Sequence, residues 1–450
     1  MQRCPPPARI GRFANAVSPA DAGSRIPLRH PAIMRKRSLL SALASLVLAS
    51  ALQAGNFTFE VKTDRPAVDY AIGEPIVFTA RLLEDGQPAT GPKITWIREG
   101  DDRQVEKGEA SASPDTPLVV TTRSETPGFI RLKLQALDAD GNPLKNGERA
   151  VAYTAGAAAD TAKFEVAPEP ADFDAFWARQ KARVAAVPLK ELERVPVKVG
   201  TAGVLGYDIK VSSAGAKPLS GYLCLPEGAQ AKSLPAKIIY FGYGVYPVSK
   251  NDGAAKDSIV LSVNAHGFLN GQPREYYRDL SQGELKGYAF NEKENGNPET
   301  TYFNGMMLRL IRSLEYVKSL PEWNGRDLTV EGHSQGGLQA ALAAGLDPAV
   351  TRCIANQPWM CDVGGAAMGH LRGTWHIKPT PALFYYDPVY HIRRYSGSLK
   401  LLAGLGDYVC PPSGMAALFN NARGSREIVY TQGAGHTGTA RGEQFTRTAP

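Results

Sequence analysis

Cysteine is scarce in this chain of 450 residues, which contains five. One of them, Cys4, lies in the N-terminal segment, and the other four are Cys224, Cys353, Cys361 and Cys410. Their spacing fits neither a small cystine framework nor a zinc site, whose ligands come in closely spaced pairs. We therefore expect buried free thiols rather than disulfides, and no metal or other cofactor.

Net charge is lacking over most of the chain. The formal charge is +7, but residues 1–54 contain eight of the 51 Lys and Arg and only one of the 44 Asp and Glu, so the remainder is balanced. A basic nucleic-acid-binding surface is therefore not expected, and neither is a nucleic-acid partner.

A membrane-spanning run is lacking as well. The apolar stretch after Arg35-Lys36-Arg37 is too short and too rich in Ser and Ala for a span. With the small residues Ala51 and Ala54 it is typical of a secretory signal, although a buried helix or an anchor is an alternative. We expect a signal peptide at residues 34–54, after an upstream extension at 1–33 from a misplaced start codon. The mature protein would be periplasmic or extracellular, without stable membrane insertion.

Residues 55–160 show the pattern of an all-β domain. Apolar and polar residues alternate over 76–82 and 130–136, which is the period of half-buried strands. Asp-Gly pairs supply turns between such segments. We predict an immunoglobulin-like β-sandwich, with structural packing as its more plausible work and carbohydrate contact as the alternative. The small residues at 156–161 predict a linker.

Residues 161–450 instead alternate strands with helices. An amphipathic helix is expected to start near Asp172 and to end before Pro188, and a second is expected over 305–319. Six apolar strands are predicted at 237–241, 258–263, 328–331, 353–355, 400–403 and 427–430. This pattern predicts a mostly parallel sheet covered by helices on both faces.

The segment Gly332-His333-Ser334-Gln335-Gly336 joins a predicted strand to a helix-prone run. This is the context of the nucleophile elbow of the α/β-hydrolase fold, which exposes its serine at a strained corner. Ser334 is therefore the candidate nucleophile, and residues 161–450 the candidate α/β-hydrolase domain. An ordinary glycine-rich turn is the alternative.

A serine nucleophile needs a base that is oriented by an acid, and in this fold they follow in the order Ser, acid, His. Of the histidines after Ser334, only His436 lies beyond the last predicted strands, in a glycine-rich loop. Asp407 follows a predicted strand at its carboxyl end, where α/β sheets place their sites. The backbone N–H of Gln335 and that of Tyr243 or Gly244 are the expected donors to the oxyanion.

Longer segments around these residues resemble the acetyl xylan esterase and cephalosporin-C deacetylase family over residues 165–440. They are the elbow, Pro358-Trp359-Met360-Cys361, the distinctive segment from Gly406 to Ser413, His436, and the helix opening Asp172-Phe173-Asp174-Ala175-Phe176-Trp177. The resemblance implies that Ser334, His436 and Asp407 remove acetyl groups from sugar hydroxyls.

The chain also departs from the family. An Arg-Gly-Gln segment of the family is replaced by Asn264-Ala265-His266-Gly267 and Asn270-Gly271-Gln272, and Thr437 follows the histidine where the family usually has Glu. Assembly is left open, a homo-oligomer included. Trp359, Tyr302 and His266 are candidates for lining the substrate pocket, with core packing as the alternative.

The sequence thus predicts an exported serine esterase that deacetylates xylan, xylo-oligosaccharides or other acetylated carbohydrates. One alternative is an esterase for larger acyl or feruloyl-type groups, or a peptidase, since the fold does not fix the substrate. Another is a carbohydrate-binding protein with a vestigial hydrolase domain, which the complete Ser, Asp and His set disfavours.

Overall fold

A computed structural model describes residues 55–437 and 442–450, which pack as one compact unit. The predictions for residues 1–33 and 34–54 lie outside the described residues. Whether a domain boundary falls at residue 160 stays a prediction.

The N-terminal region consists of ten strands, most of them antiparallel neighbours. They are β1 (Phe57–Thr63), β2 (Ile76–Glu84), β3 (Gln87–Pro88), β4 (Lys93–Gly100), β5 (Val105–Ser111), β6 (Leu118–Thr122), β7 (Gly128–Leu137), β8 (Lys145–Asn146), β9 (Arg149–Ala150) and β10 (Ala152–Ala159). One sheet has the order β1-β2-β3 with β6 also paired to β2, and another has the order β10-β7-β4-β5.

The two sheets enclose a common apolar core, built from the alternation that the sequence shows. Ile76 and Phe78 of β2 and Leu132 and Ala136 of β7 are all fully buried within it. The predicted all-β character is therefore confirmed, whereas the immunoglobulin-like topology stays a prediction. The predicted linker at 156–161 is wrong over its first four residues, because they continue β10 and are buried between the two regions.

The C-terminal region has ten further strands in one sheet of order β11-β12-β13-β15-β14-β16-β17-β18-β19-β20. They are β11 (Glu191–Pro196), β12 (Val204–Val211), β13 (Leu219–Pro226), β14 (Leu234–Tyr240), β15 (Ile259–Asn264), β16 (Trp323–His333), β17 (Arg352–Asn356), β18 (Ser398–Gly404), β19 (Arg426–Thr431) and β20 (Gln444–Ala449). Six adjacent strands of this sheet run parallel, and they are the six predicted strands: β15, β14, β16, β17, β18 and β19. The antiparallel strands β11, β12, β13 and β20 extend the sheet on either side.

Seven α-helices accompany this sheet in the described residues. They are α1 (Phe173–Ala185), α2 (Arg274–Gln282), α3 (Tyr302–Ser319), α4 (Gln335–Leu346), α5 (Gly365–Met368), α6 (Pro388–Ile392) and α7 (Pro412–Asn421). Both predicted helices are present as α1 and α3. In the part of the chain that the structure describes, no helix is both long enough and apolar enough to cross a membrane.

Candidate active site

The elbow lies between the end of β16 and the start of α4. Ser334 has φ 58° and ψ −121°, a strained backbone that few residues other than glycine adopt. Glycines flank it because backbone approaches closely at both positions. A Cβ on Gly332 would overlap the backbone of Gly336, and one on Gly336 would overlap the carbonyl of Tyr240.

Ser334, His436 and Asp407 lie in hydrogen-bonding order. Nε2 of His436 is 3.0 Å from Oγ of Ser334, and its Nδ1 is 2.8 Å from Oδ2 of Asp407. The other Asp407 oxygen accepts the N–H groups of Val409 and Cys410 at 2.9 and 3.0 Å. The carboxylate is fully buried, and Ser334 is 8% exposed. The sequence-predicted trio is therefore brought together with the spacing that a charge-assisted triad requires.

The Asp407 and His436 loops pack against each other. The N–H of Gly406 donates to the carbonyl of Ala434 at 3.1 Å, and the N–H of Leu405 donates to Thr431 at 3.0 Å. From a third loop, the side-chain amide of Gln357 donates to the carbonyl of Gly435 at 3.2 Å. The alignment of acid and base thus depends on contacts between loops as well as on the sheet.

The predicted oxyanion donors differ in their surroundings. Gln335 begins α4, so its N–H is at a helix N-terminus. The loop after β14 runs beside the nucleophile, since a Cβ on Gly242 would be 3.9 Å from that of Ser334. The N–H of Gly244 already donates to the hydroxyl of Tyr288 at 2.8 Å. Of the two alternatives in this loop, Gly244 is therefore disfavoured by the structure.

His266 and Tyr302 lie behind this loop rather than in the cavity that Trp359 lines. Nε2 of His266 is 2.9 Å from the carbonyl oxygen of Gly244, and its Nδ1 is hydrogen-bonded to the hydroxyl of Tyr302. Burial, together with the nearby charge of Arg309, lowers the pKa of His266 to about 4, although the bond to Gly244 acts in the opposite direction. A neutral imidazole with Nε2–H donating and Nδ1 accepting fits both contacts. Both side chains therefore hold the loop in place.

Trp359 is buried, and its indole N–H donates to the carbonyl of Trp375 at 2.8 Å. It lines a mostly apolar cavity together with Met360, Val409, Cys410 and Met415, among others. The backbone of one lining residue is joined to that of the nucleophile, because the N–H of Trp359 donates to the carbonyl of Ser334 at 3.0 Å.

Three large aromatic side chains are partly exposed around Tyr243. Tyr246, Phe290 and Trp375, which we call the aromatic rim, are 40%, 37% and 39% exposed. The rings of Trp375 and Phe290 meet Tyr243 edge to face, at centroid distances of 4.9 and 5.9 Å. The Tyr246 hydroxyl donates to the carbonyl of Gly242 at 2.9 Å. The rim therefore lies beside the loop next to the nucleophile.

The four cysteines of the described residues are free thiols. Cys224, Cys353 and Cys410 are buried free thiols, and Cys361 is partly buried. Among residues 55–437 and 442–450 no group of three or more His, Cys, Asp and Glu side chains could hold a metal ion.

Some residues around the site carry no sequence signal. Tyr288 lies in a polar segment without a motif, yet its hydroxyl also donates to the side-chain oxygen of Gln335 at 3.1 Å. Gln357 follows β17 with φ 44°, and only the fold brings it to the His436 loop. The rim residues come from three separate loops, so their proximity is likewise a property of the fold.

The chain is similar to known acetyl xylan esterases. Residues 163–368 match the sequence model of the acetyl xylan esterase (AXE1) family. Acetyl esterase Axe7A of Xylanibacter ruminicola is 28% identical over 285 residues, which cover 58% of this chain and 62% of that protein. The predicted resemblance is therefore confirmed, and a carboxylic ester hydrolase is the enzyme class of these relatives.

A solved structure supports the fold. The acetyl xylan esterase from Paenibacillus sp. R4 superposes with a TM-score of 0.54 at 24% identity, covering 62% of this chain and 94% of that one. The family match includes Ser334 but ends before Asp407 and His436, and it begins after the N-terminal sheets.

Proposed function

We propose that this chain, which matches the acetyl xylan esterase family over residues 163–368, is a serine esterase that removes O-acetyl groups from acetylated carbohydrates. The observation that carries the proposal is the hydrogen-bonded series Asp407, His436 and Ser334, with contacts of 2.8 and 3.0 Å. A series in that order activates a serine for acyl transfer.

The proposed reaction has two acyl-transfer steps. The Asp407 carboxylate accepts Nδ1–H of His436, which leaves Nε2 free to take the proton of Ser334 Oγ. As Oγ bonds to the acetyl carbon, the carbonyl electrons move onto oxygen. Collapse of this intermediate breaks the bond to the sugar oxygen, which takes the proton from Nε2. Water then repeats the sequence on the acyl-enzyme, releasing acetate and restoring Ser334.

The proposed oxyanion donors are the backbone N–H groups of Gln335 and Tyr243. The amide of Gln335 benefits from the N-terminus of α4, where backbone N–H groups lack helical partners. Tyr243 is preferred to Gly244 because the Gly244 amide is committed to Tyr288. The same bond, with His266 on the Gly244 carbonyl, fixes the loop that presents Tyr243.

A carbohydrate substrate is supported by the aromatic rim. Sugar rings present C–H faces that pack on aromatic side chains, and the partly exposed Trp375, Phe290 and Tyr246 offer such faces around the loop that passes the nucleophile. Whether the sugar belongs to xylan is a finer proposal, which rests on the family resemblance alone.

A larger acyl group is a second candidate, favoured by the apolar cavity that Trp359, Met360 and Met415 line, because the backbone of Trp359 is hydrogen-bonded to that of Ser334. Initial rates on acetyl, butyryl and feruloyl esters of one alcohol separate the candidates: we expect the acetyl ester to be preferred, whereas a preference for feruloyl would replace the main proposal.

The central experiment is a burst assay. Pre-steady-state hydrolysis of an aryl acetate should release about one equivalent of aryl alcohol per active site before the slower deacylation. Ser334→Ala should abolish both phases, whereas Ser281→Ala, which removes a partly exposed hydroxyl on α2, should keep both. Full activity in Ser334→Ala would overturn the mechanism. Acetate release from acetylated xylan, mannan and small sugar acetates would then define the substrate.

Export, an immunoglobulin-like N-terminal domain and self-association are further proposals. Export rests on the signal-like residues 34–54, and N-terminal sequencing of protein recovered outside the cytoplasm should begin near Gly55. An intact Met1 there would contradict it. We expect no nucleic-acid partner, in line with the balanced charge after residue 54. Light scattering of the purified protein measures its mass and so tests whether it forms a homo-oligomer.

A further inference from the structure

The strand β10 lies against the loop that carries His436. It is an edge strand of its sheet, so the outward backbone groups of Gly156 face no neighbouring strand, although Ala67 and Tyr70 bond those of Ala158. The side chain of Gln432 supplies both missing bonds at one residue. Its Oε1 accepts the N–H of Gly156 at 2.9 Å, and its Nε2 donates to the carbonyl of Gly156 at 2.8 Å. Gln432 is 3% exposed, so this pair of hydrogen bonds is shielded from water.

Backbone packing extends the contact to the Asp407 loop. A Cβ on Gly156 would come within 2.7 Å of the carbonyl oxygen of Leu405, and one on Gly406 within 2.7 Å of that of Thr154. A Cβ on Gly433 would overlap the hydroxyl of Tyr153. Three residues of β10 thus touch both loops, with glycine at each close approach.

The strand β7 adds a side-chain contact next to the acid. The guanidinium of Arg131 lies 3.8 Å from the ring centre of Tyr408, the residue after Asp407. Arg131 is also ion-paired with Glu99 at 2.7 Å. The backbone that bears Asp407 is therefore held from the side of the N-terminal sheets.

We infer that the N-terminal β-sheets are part of the catalytic apparatus, because β10 and β7 hold the Asp407 and His436 loops in register, with Gln432 as the main positioning residue. The inference rests on the proposed triad. Residues 55–159 lie outside residues 163–368, which match the family.

The alignment of His436 Nε2 with Ser334 Oγ depends on the position of the loop that carries His436. His436 is four residues after Gln432, and two hydrogen bonds anchor that end of its loop. Without the Gln432 amide, the buried N–H and C=O of Gly156 have no partner, which favours opening of the contact. A shift of the loop by about 1 Å is enough to lower the rate of a positioned proton transfer on the order of 100-fold.

Two variant pairs test the inference in the full chain. Gln432→Leu should lower kcat for an aryl acetate at least 10-fold with little change in KM. It should also slow the reaction of Ser334 with an uncharged fluorophosphonate. Gln180→Leu is the matched control, since Gln180 is an equally buried amide that bonds Asn304 and Arg183 away from the triad. It should lower the thermal midpoint and leave both rates within twofold.

The second pair changes a partly exposed site that is not part of the core. Arg131→Met should lower kcat 3- to 10-fold. Lys133→Met should leave it unchanged, because Lys133 pairs with the same Glu99 at 2.8 Å but is not the side chain over Tyr408. If Gln432→Leu does not fold, this pair decides the question.

Equal rates in Arg131→Met and Lys133→Met, or a folded Gln432→Leu with wild-type kcat, would overturn the inference. Its failure is separable from failure of the proposed function. Wild-type protein that turns over no acetate ester would refute the function, whereas the fluorophosphonate rate would still report how Ser334 and His436 are aligned.

Discussion

The hydroxyl of Tyr288 donates to the side-chain oxygen of Gln335 at 3.1 Å, while it accepts the N–H of Gly244 at 2.8 Å. One oxygen atom therefore connects the loop after β14 with the residue that follows the nucleophile. The Tyr288 ring also stacks on that of Tyr243 at a centroid distance of 4.2 Å and an interplanar angle of 14°. The two proposed oxyanion amides are thus held by one side chain that touches both segments.

Tyr288→Phe should lower kcat for an aryl acetate about tenfold with KM little changed. The ring and its stacking remain, but the N–H of Gly244 and the Gln335 side chain lose their shared partner, at a cost of about 1–2 kcal/mol. Stopped-flow kinetics of the acylation phase measures this. Tyr277→Phe is the control, since Tyr277 is equally buried and its hydroxyl donates to Leu269. If both variants acylate at the wild-type rate, Tyr288 has no positioning role.

Asp407→Asn should lower kcat on the order of 1,000-fold or more while the protein stays folded. An amide of the same size can donate to Nδ1, which favours the tautomer whose Nε2 carries a proton and cannot accept one from Ser334. Single-turnover acylation and circular dichroism give the two readouts. Asp347→Asn changes a carboxylate at the end of α4 that pairs with Lys318. Its rate should stay within twofold, and a similar loss there would contradict the assignment.

The elbow was predictable because its chemistry is local. The glycine at 332 is required by a backbone contact within the turn and the glycine at 336 by the adjacent strand β14, and strand and helix propensities flank them. The six parallel strands followed from short apolar runs, and the sheets of the N-terminal region from a period of two. In the strands, the pattern that decides the structure is repeated along the sequence.

The supports of the site were not predictable for the converse reason. Tyr288, Gln432 and the rim residues act through partners that are distant in sequence. The residues from Gly156 suggested a linker because they are small, but the small size of Gly156 allows close packing against Leu405. The edge strand β11 was missed because all six of its residues are exposed, so no apolar pattern marks it.

Trp375→Ala should raise KM for a sugar acetate about 5- to 10-fold and leave kcat/KM for an aryl acetate nearly unchanged. The indole offers a flat face to the sugar ring, worth about 1 kcal/mol, that a small aryl ester does not need. Trp323→Ala, at the start of β16, removes a partly buried indole far along the strand from Ser334 and should change neither parameter. Equal losses on both substrates in Trp375→Ala would mean that the side chain supports the loop rather than the sugar.

Stability should depend on pH through His266, whose pKa in the folded protein is about 4 because of burial. In the unfolded chain the pKa of histidine is about 6.5, so between these values the unfolded state binds a proton that the native state does not. The free energy of unfolding therefore falls as the pH decreases through this window. At pH 5 the loss from this residue is about 2 kcal/mol relative to pH 7.

His266→Gln removes the titrating group along with its bonds to Gly244 and Tyr302. The variant should be less stable than the wild type at pH 7, and the difference should shrink by about 2 kcal/mol at pH 5, because only the wild type loses this contribution in acid. Urea unfolding at both pH values measures it. Tyr302→Phe keeps the imidazole and removes one of the same bonds, so its destabilisation should be nearly equal at both. A difference for His266→Gln that does not change with pH would show that the imidazole is not held neutral in the folded protein.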